Sequence, residues 1–501
     1  MTMSQAELPL RVRSAYGLGS VGELVFLGMF NTFITIFYNQ AIGLSNSLIG
    51  TAIMLSLLGD AISDPVIGMI SDRWRSRLGR RHPFLFAAPV PAAFSLYMIF
   101  APPSSLVHPV GHAGPDQALL FVWLCFWTIV SRVMVTVYVI PHFALGGELT
   151  RNANERSRLF SMNAAIGYVT AALFGFVAWG VFLAGKSVNN HGVLVPKHLN
   201  AGSYGPLVLF ACALILGSIL ISAWGTVGQV PRLRAAPADQ GRASLKLYYR
   251  DFATIMKNRN YLFLMLGFFF FMISVGLIEA LGVFTNTYVW ELRTDEMRWI
   301  GILSVPAIIV GTIISPALMR RFERRSVLLA AILGAAITAQ LPVDLRLAGL
   351  FPANHAALLL PMLMLIAAIT AVSVAVATIA VLSMLGEICD ENELLCGLRQ
   401  EGLIYSARAF FAKASNSVGH FSAGLLLDGY VHMPFGAVPG QLASGIIFKL
   451  ALTSGPIMGL GALIAVPFYA RFRLTRAEHD VVLRALQTRA IRTPIVVATT
   501  I

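Results

Sequence analysis

Long apolar runs separated by short charged segments dominate the chain. A membrane span needs about 20 predominantly apolar residues. Twelve stretches meet that length, at about 14–41, 46–72, 83–101, 118–148, 158–185, 206–229, 261–290, 297–319, 326–345, 355–388, 403–428 and 446–470. Gly and Pro interrupt several of them, which membrane helices tolerate when neighbouring groups satisfy the freed backbone. The pattern therefore predicts an all-α membrane protein of twelve transmembrane helices.

Composition agrees. Of the 501 residues 57% are apolar and 12% charged, against roughly 45–50% and about 25% in soluble domains. That excludes a soluble enzyme, a nucleic-acid binder or a disordered scaffold. The net charge of +13 is topological: of the 37 Lys and Arg, 28 fall in the segments on the side of the two termini and 5 on the opposite side. Basic residues collect on the cytoplasmic face, so both termini are expected in the cytoplasm, in the cell (inner) membrane. The first apolar run is too long for a signal-peptide core and reads as the first span. Cys125, Cys212, Cys389 and Cys396 match neither a disulfide framework nor a zinc site.

The longest polar connection, 230–260, divides the spans six and six. Expected units are a six-helix half over 1–229, the linker, a second half over 261–470 and a cytoplasmic tail over 471–501. The tail has helical spacing. The loop after span two, with Asp72, Arg73, Arg80 and Arg81, is echoed after span eight by Arg320, Arg321, Arg324 and Arg325. Two halves with matching basic loops suggest a duplicated transporter, its site between the halves near the membrane middle.

An ionisable group in hydrocarbon costs at least about 2.5–3.5 kcal/mol, so each is a functional candidate. Asp60 and Asp64, four apart in span two, share one helix face. Two carboxylates that close need a cation, a proton or a basic side chain between them. Lys413 in span eleven, among small residues that permit close helix packing, is the natural basic partner. An ammonium that trades places with Na⁺ or H⁺ is a physical route to coupling. Glu279 in span seven reads as either a substrate or proton group or a partnered structural carboxylate. Arg132 in span four is expected to pair, with Glu23 as a candidate partner. His142 and His420 read as satisfied core histidines.

The stretch GDAISDPVIGMISDRWRSRLGRRHPF resembles the span-two signature of the glycoside–pentoside–hexuronide:cation symporters, melibiose-carrier-like members of the major facilitator superfamily. AYGLGSVGE at 15–23, IPHFALGGELTRNANERSRL at 140–159 and LGEICDENELLCGLRQEGLIYSARAFFAKASNS at 385–417 match in register. The resemblance implies the major facilitator fold, a coupling-cation site at Asp60 and Asp64 and a nearby Lys413. It also implies a cytoplasmic gate from Asp72, Arg73, Arg80 and Arg81, joined by Glu148, Arg156, Glu387, Asp390 and Arg399. The sugar-binding positions depart from the family: Leu24 replaces the span-one acid, with Glu23 one place earlier. Asn163 or Ala164 replaces the span-five arginine, Val139 replaces the span-four acid, and Leu57 and Gly59 stand before the first aspartate. Glu23, Asn163, Glu279 and Arg132 remain the substrate candidates.

The expected function is symport of a small organic solute, less hydroxylated than a sugar, by a monomer in the lipid bilayer. The coupling ion is Na⁺ or H⁺, and no cofactor, nucleic acid or other metal is expected. The alternatives are a lysolipid or amphiphile carrier on the same fold and, on the D-x3-D spacing, a membrane prenyltransferase. The latter needs a second acidic segment, and the only dense one, Glu387 to Glu393, is expected in a cytoplasmic loop.

Overall fold

The computed structural model describes residues 8–109, 114–150, 152–189, 192–233, 250, 252–396 and 401–492. Most of the central linker and Arg399 therefore lie outside the described residues. Eleven described segments are helical, long and apolar enough to cross a membrane. They are α1 (Leu10–Ile42), α2 (Asn46–Arg73), α3 (His82–Val107), α4 (Gln117–Leu149), α5 (Glu155–Phe182), α6 (Ala201–Val227), α7 (Arg259–Val289), α8 (Thr294–Arg321), α9 (Arg324–Leu347), α10 (Leu359–Leu395) and α12 (Ser444–Ala470). Between the last two runs α11 (Glu401–Leu426). It is absent from the apolar set, as its content of Arg408, Lys413, Asn416 and His420 requires. Packing places it inside nonetheless, against α2 and α7.

Polar caps set several helix starts. Ser45 accepts from the Leu48 amide at α2, Asp116 from Leu119 at α4 and Asn258 from Tyr261 at α7, each satisfying an amide that has no partner in its own helix. Pro65 and Pro141 sit inside α2 and α4. Five helices carry π-helical turns towards the end opposite the chain termini, at 29–33 and 37–42, 178–182, 285–289, 427–431 and 453–457. At that far end a hairpin of β1 (Lys186–Val188) and β2 (Leu194–Pro196), antiparallel with Ser187 opposite Val195, links α5 to α6.

Helices α1 to α6 pack mainly on one another, as do α7 to α12, and the broadest contact between the two groups is α2 on α11. Glycine sets how closely helices approach. A Cβ on Gly50 would stand 2.8 Å from the Phe421 Cα, and one on Gly276 would stand 2.8 Å from the Asn416 carbonyl oxygen. Backbone contact of this kind is how membrane helices associate without a hydrophobic driving force between them.

One expected boundary is corrected. Helix α10 continues through the acidic residues expected in a loop. Its 37 residues extend about 55 Å at 1.5 Å per residue, beyond the roughly 40–45 Å of a bilayer with its headgroups. Hydropathy falls where the helix leaves the apolar layer, but Glu and Leu continue it. Asn258 and Asn260 hold the Glu391 carboxylate at 3.0 and 2.7 Å. The tail forms α13 (Arg476–Arg492), which packs on this end of α10, with His479 Nε2 3.0 Å from Asp390 Oδ2.

Candidate functional site

Pro65 follows Asp64 directly, and the helix carries both carboxylates of α2 towards α4 and α11. Asp60 is 2% exposed and receives Arg132 Nη1 of α4 at 2.9 Å. The guanidinium also lies over the Phe30 ring, 4.8 Å from its centroid. Asp64 is more open, with 27% of its side chain exposed. Its Oδ1 accepts from Thr136 Oγ1 at 2.8 Å and its Oδ2 from Lys413 Nζ at 2.6 Å. Lys413 stands 3.7 Å from Asp60. The sequence expectation of an aspartate pair facing the span-eleven lysine matches this geometry. Two carboxylates and two cations make the cluster formally neutral.

Arg132 requires a correction: it pairs with Asp60, not Glu23. One α-helical turn sets Arg132 against Asp60 and Thr136 against Asp64, so the i, i+4 spacing of α2 is matched on α4. Glu23 makes no hydrogen bond and no ion pair within 4.0 Å among the described residues. Asn163 is buried and its Oδ1 lies 3.3 Å from His142 Nε2. His142 stacks on Tyr16 with ring centroids 4.3 Å apart, the satisfied core role expected of it. His420 departs from expectation: it is 2% exposed and neither ring nitrogen has a hydrogen-bond partner.

Glu279 forms a second polar centre between the halves. Its Oε2 accepts from Asn31 Nδ2 of α1 at 3.1 Å and from Asn416 Nδ2 of α11 at 2.7 Å, with His420 Nε2 3.9 Å away. Asn416 lies three residues, about one turn, beyond Lys413, so one helix touches both centres.

At the terminal end the loop charges form networks within each half. Arg81 binds Asp72, Ser71 Oγ at 2.7 Å and Glu148 at 2.9 Å, and Arg80 binds Glu148 at 3.0 Å. In the second half Arg324 binds Glu387, and His479 joins Asp390. Arg73 ends α2, and Arg156 is exposed near the start of α5. These contacts join α2 to α4 and α9 to α10; each lies inside one half.

Sequence reasoning missed the far-end contacts between halves. Asp428, just past α11, accepts from the Asn46 amide at 3.2 Å, Asn46 Nδ2 at 2.8 Å, the Ser47 amide at 2.7 Å and Ser47 Oγ at 2.8 Å. It thus caps α2 from the other half, where a helix N-terminus favours an anion. Gln40 bonds Tyr288 at 2.9 Å, the Ala437 amide at 2.9 Å and the Pro434 carbonyl at 3.0 Å. His198 Nε2 lies 3.0 Å from Thr287 Oγ1. The available signal was an acid at the end of a span and a Ser-Asn-Ser cap on another, with nothing local to pair them.

Among the described residues, eleven long apolar helices and the polar α11 form two packed groups with charged side chains meeting between them, the build of a multi-pass membrane protein. The family model for "MFS/sugar transport protein" matches residues 15–476, and the chain belongs to that family of the major facilitator superfamily. It is similar to an uncharacterized symporter of Synechocystis sp., 24% identical over 97% of this chain and 98% of that protein. It is also similar to the isoprimeverose transporter of Lactiplantibacillus pentosus, 21% identical over 92% and 89%. A third relative is the glucuronide carrier protein homolog of Escherichia coli, 23% identical over 92% and 89%. Among solved structures, the inward open xylose transporter XylE from E. coli is 14% identical at a TM-score of 0.59, over 95% of this chain and 99% of that one. The nucleoside transporter NupG is also 14% identical at a TM-score of 0.59, over 92% and 99%. These likenesses support the major facilitator fold. The family and these neighbours are transporters, so the enzyme reading is set aside.

Proposed function

We propose that this protein is a cation-coupled symporter of a small organic solute. The two halves rock about a mid-membrane site, and both termini lie in the cytoplasm of the inner membrane. The observation that carries the reading is the unequal holding of the two aspartates. Asp60 is locked by an arginine of its own half. Asp64 is held by a lysine of the other half and is partly open. A cation or proton arriving at Asp64 therefore replaces Lys413 and breaks a bond between halves. Arg132 already occupies Asp60, which leaves few oxygens for Na⁺ and favours H⁺ as the coupling ion.

The far-end bonds of Asp428, Gln40 and His198 support a state closed on that side and open to the cytoplasm. The loop networks of Asp72, Arg73, Arg80, Arg81 and Glu148, and of Glu387 and Asp390, brace each half at the cytoplasmic end; Arg156 and Arg399 are the further charges proposed there. Names among the relatives support symport, and the changed sugar positions support a solute with fewer hydroxyls. An amphiphile carrier is the second reading. It is favoured by a cavity of about 560 Å³ beside Glu279, lined mostly by apolar side chains.

The test is uptake into proteoliposomes from a solute panel, with Na⁺ and pH gradients imposed separately. Asp64→Asn should abolish gradient-driven accumulation while solute exchange continues. Accumulation equal to the unmutated protein would overturn the mechanism.

A further inference from the structure

The cavity beside Glu279 lies within the second half, among α7, α8, α9, α10 and α12, with Tyr168 of α5 at its rim. Its volume of about 560 Å³ falls within the roughly 300–1,000 Å³ typical of small-molecule sites. Glu279 is the only charged side chain on its described wall. The hydrogen bonds to this carboxylate go to one oxygen: Asn31 and Asn416 both donate to Oε2, and Oε1 accepts nothing among the described residues. The side chain is 37% exposed, so an incoming group can reach it.

The remaining polar lining is mixed: Tyr168, Asn286, Trp290 and Ser304 can donate hydrogen bonds, whereas four threonines cannot. Thr312, Thr338, Thr370 and Thr378 donate their hydroxyl protons to the carbonyls of Ile308, Gly334, Ile366 and Val374, one turn back along their own helices. What these hydroxyls can offer the cavity is lone pairs. The cavity thus carries one negative charge with a free acceptor oxygen, in a wall mostly of Ile, Val, Ala and Leu. An anionic solute is repelled, and a carboxylate facing an apolar space is best satisfied by a cation that also donates hydrogen bonds.

We infer that this cavity binds an organic ammonium with an apolar body, the ammonium on Glu279 Oε1 and the body among the aliphatic and threonine side chains. The inference rests on the proposed transport function and names its substrate class. It also places solute and coupling ion on one helix: Asn416 bonds Glu279, and Lys413, a turn away, bonds Asp64. An ammonium that draws on Glu279 changes the acceptor of Asn416 and so the seating of the lysine.

The test uses the full-length chain in detergent and two probes of one shape, 4-phenylbutylammonium and 4-phenylbutanol. Binding is read by calorimetry. The ammonium should bind at least about tenfold more tightly than the alcohol, as expected for a charge-assisted bond. Glu279→Gln should erase the difference while leaving the alcohol affinity in place. Thr370→Leu, which fills the cavity and keeps the carboxylate, should weaken both probes. Equal affinities in the unmutated protein, no binding of either probe, or a preference that survives Glu279→Gln would overturn the inference. Asp64→Asn separates it from the transport reading: that variant should keep the ammonium preference and lose gradient-driven accumulation. Accumulation that survives Asp64→Asn would refute the coupling alone.

Discussion

Replacing Asp428 with alanine should open the far end of the protein. Four hydrogen bonds from α2 converge on this carboxylate, two from backbone amides at the start of the helix and two from the Asn46 and Ser47 side chains. A hydrogen bond to a charged group contributes about 1.5–3 kcal/mol. The four share one acceptor and sit partly in contact with solvent, so they do not add in full. A net contribution of about 2–4 kcal/mol to closure follows, or roughly 30- to 700-fold in the closed-to-open ratio at about 1.4 kcal/mol per tenfold. The α2 amides released by the variant, buried or half-buried here, meet water when the far end opens, so the effect should fall on the conformational equilibrium rather than on folding. The bonds of Gln40 and His198 remain to seat the two halves.

The assay is a distance distribution between spin labels across the far end, in a background with the four native cysteines replaced. Val188 on β1 and Leu350 after α9 are 60% and 75% exposed, lie on different halves and tolerate a label. The unmutated protein should give mainly the short population of the closed state. Asp428→Ala should shift most of the distribution to longer distances, and Asp428→Asn, which keeps one good acceptor, should fall between. If the distribution in Asp428→Ala is the same as in the unmutated protein, the carboxylate is a cap on α2 and not a latch.

Three further outcomes follow from the same contacts. Asp60→Asn leaves Arg132 buried without its anion, so thermal unfolding should report a loss of about 3–5 kcal/mol, largely recovered in Asp60→Asn combined with Arg132→Met; an unchanged melting temperature in the single variant would refute the pairing. Burial lowers the pKa of His198 to about 3, below its ordinary value, so the closed far end favours the neutral ring. Its contribution to closure is complete above about pH 6.5 and is lost progressively as pH falls towards the lowered value. The same spin-label pair should therefore report more open protein at about pH 5 than at about pH 7.5, and His198→Gln should remove that part of the response. Gly276→Val pushes α7 from the Asn416 carbonyl and should cost about 1–3 kcal/mol or more by overpacking, read as a lower melting temperature; a neutral result would mean that the helices do not pack as closely as described.

Much of this was legible in the sequence, because the signals are local. The apolar runs gave most helix ends to within a few residues, and the i, i+4 spacing of Asp60 and Asp64 put both on one face whatever they met. What failed was pairing across distance. Arg132 was matched to Glu23, although its partner Asp60 is nearer along the chain, 72 residues away, because nothing in the sequence distinguishes one buried acid from another. Asp428 drew no notice in the sequence because its partners, the first residues of α2, lie far away along the chain. The acids of α10 were set in a loop because hydropathy marks where a helix leaves lipid, not where it ends. Conversely, α11 is too polar to stand out by hydropathy, and two of its polar residues, Lys413 and Asn416, bond α2 and α7.

That last point bears on why the site is built on α11. A helix this polar is costly in lipid unless its charged and amide groups find partners, and its partners belong to other helices: Asp64 on α2 and Glu279 on α7. Just past α11, Asp428 reaches the start of α2. Three bonds spaced along one helix tie it to both halves, and two of them involve carboxylates open enough to accept a cation. Neutralising Asp64 releases Lys413 but leaves the Asp428 cap in place. The helix then loses its central tie while keeping its far-end one, which makes the far end the pivot and the end that carries the termini the part that moves. Opening the far end instead requires the Asp428 bonds to break while the lysine bond holds. The two events use different bonds on the same helix, so neutralising Asp64 biases which end gives way.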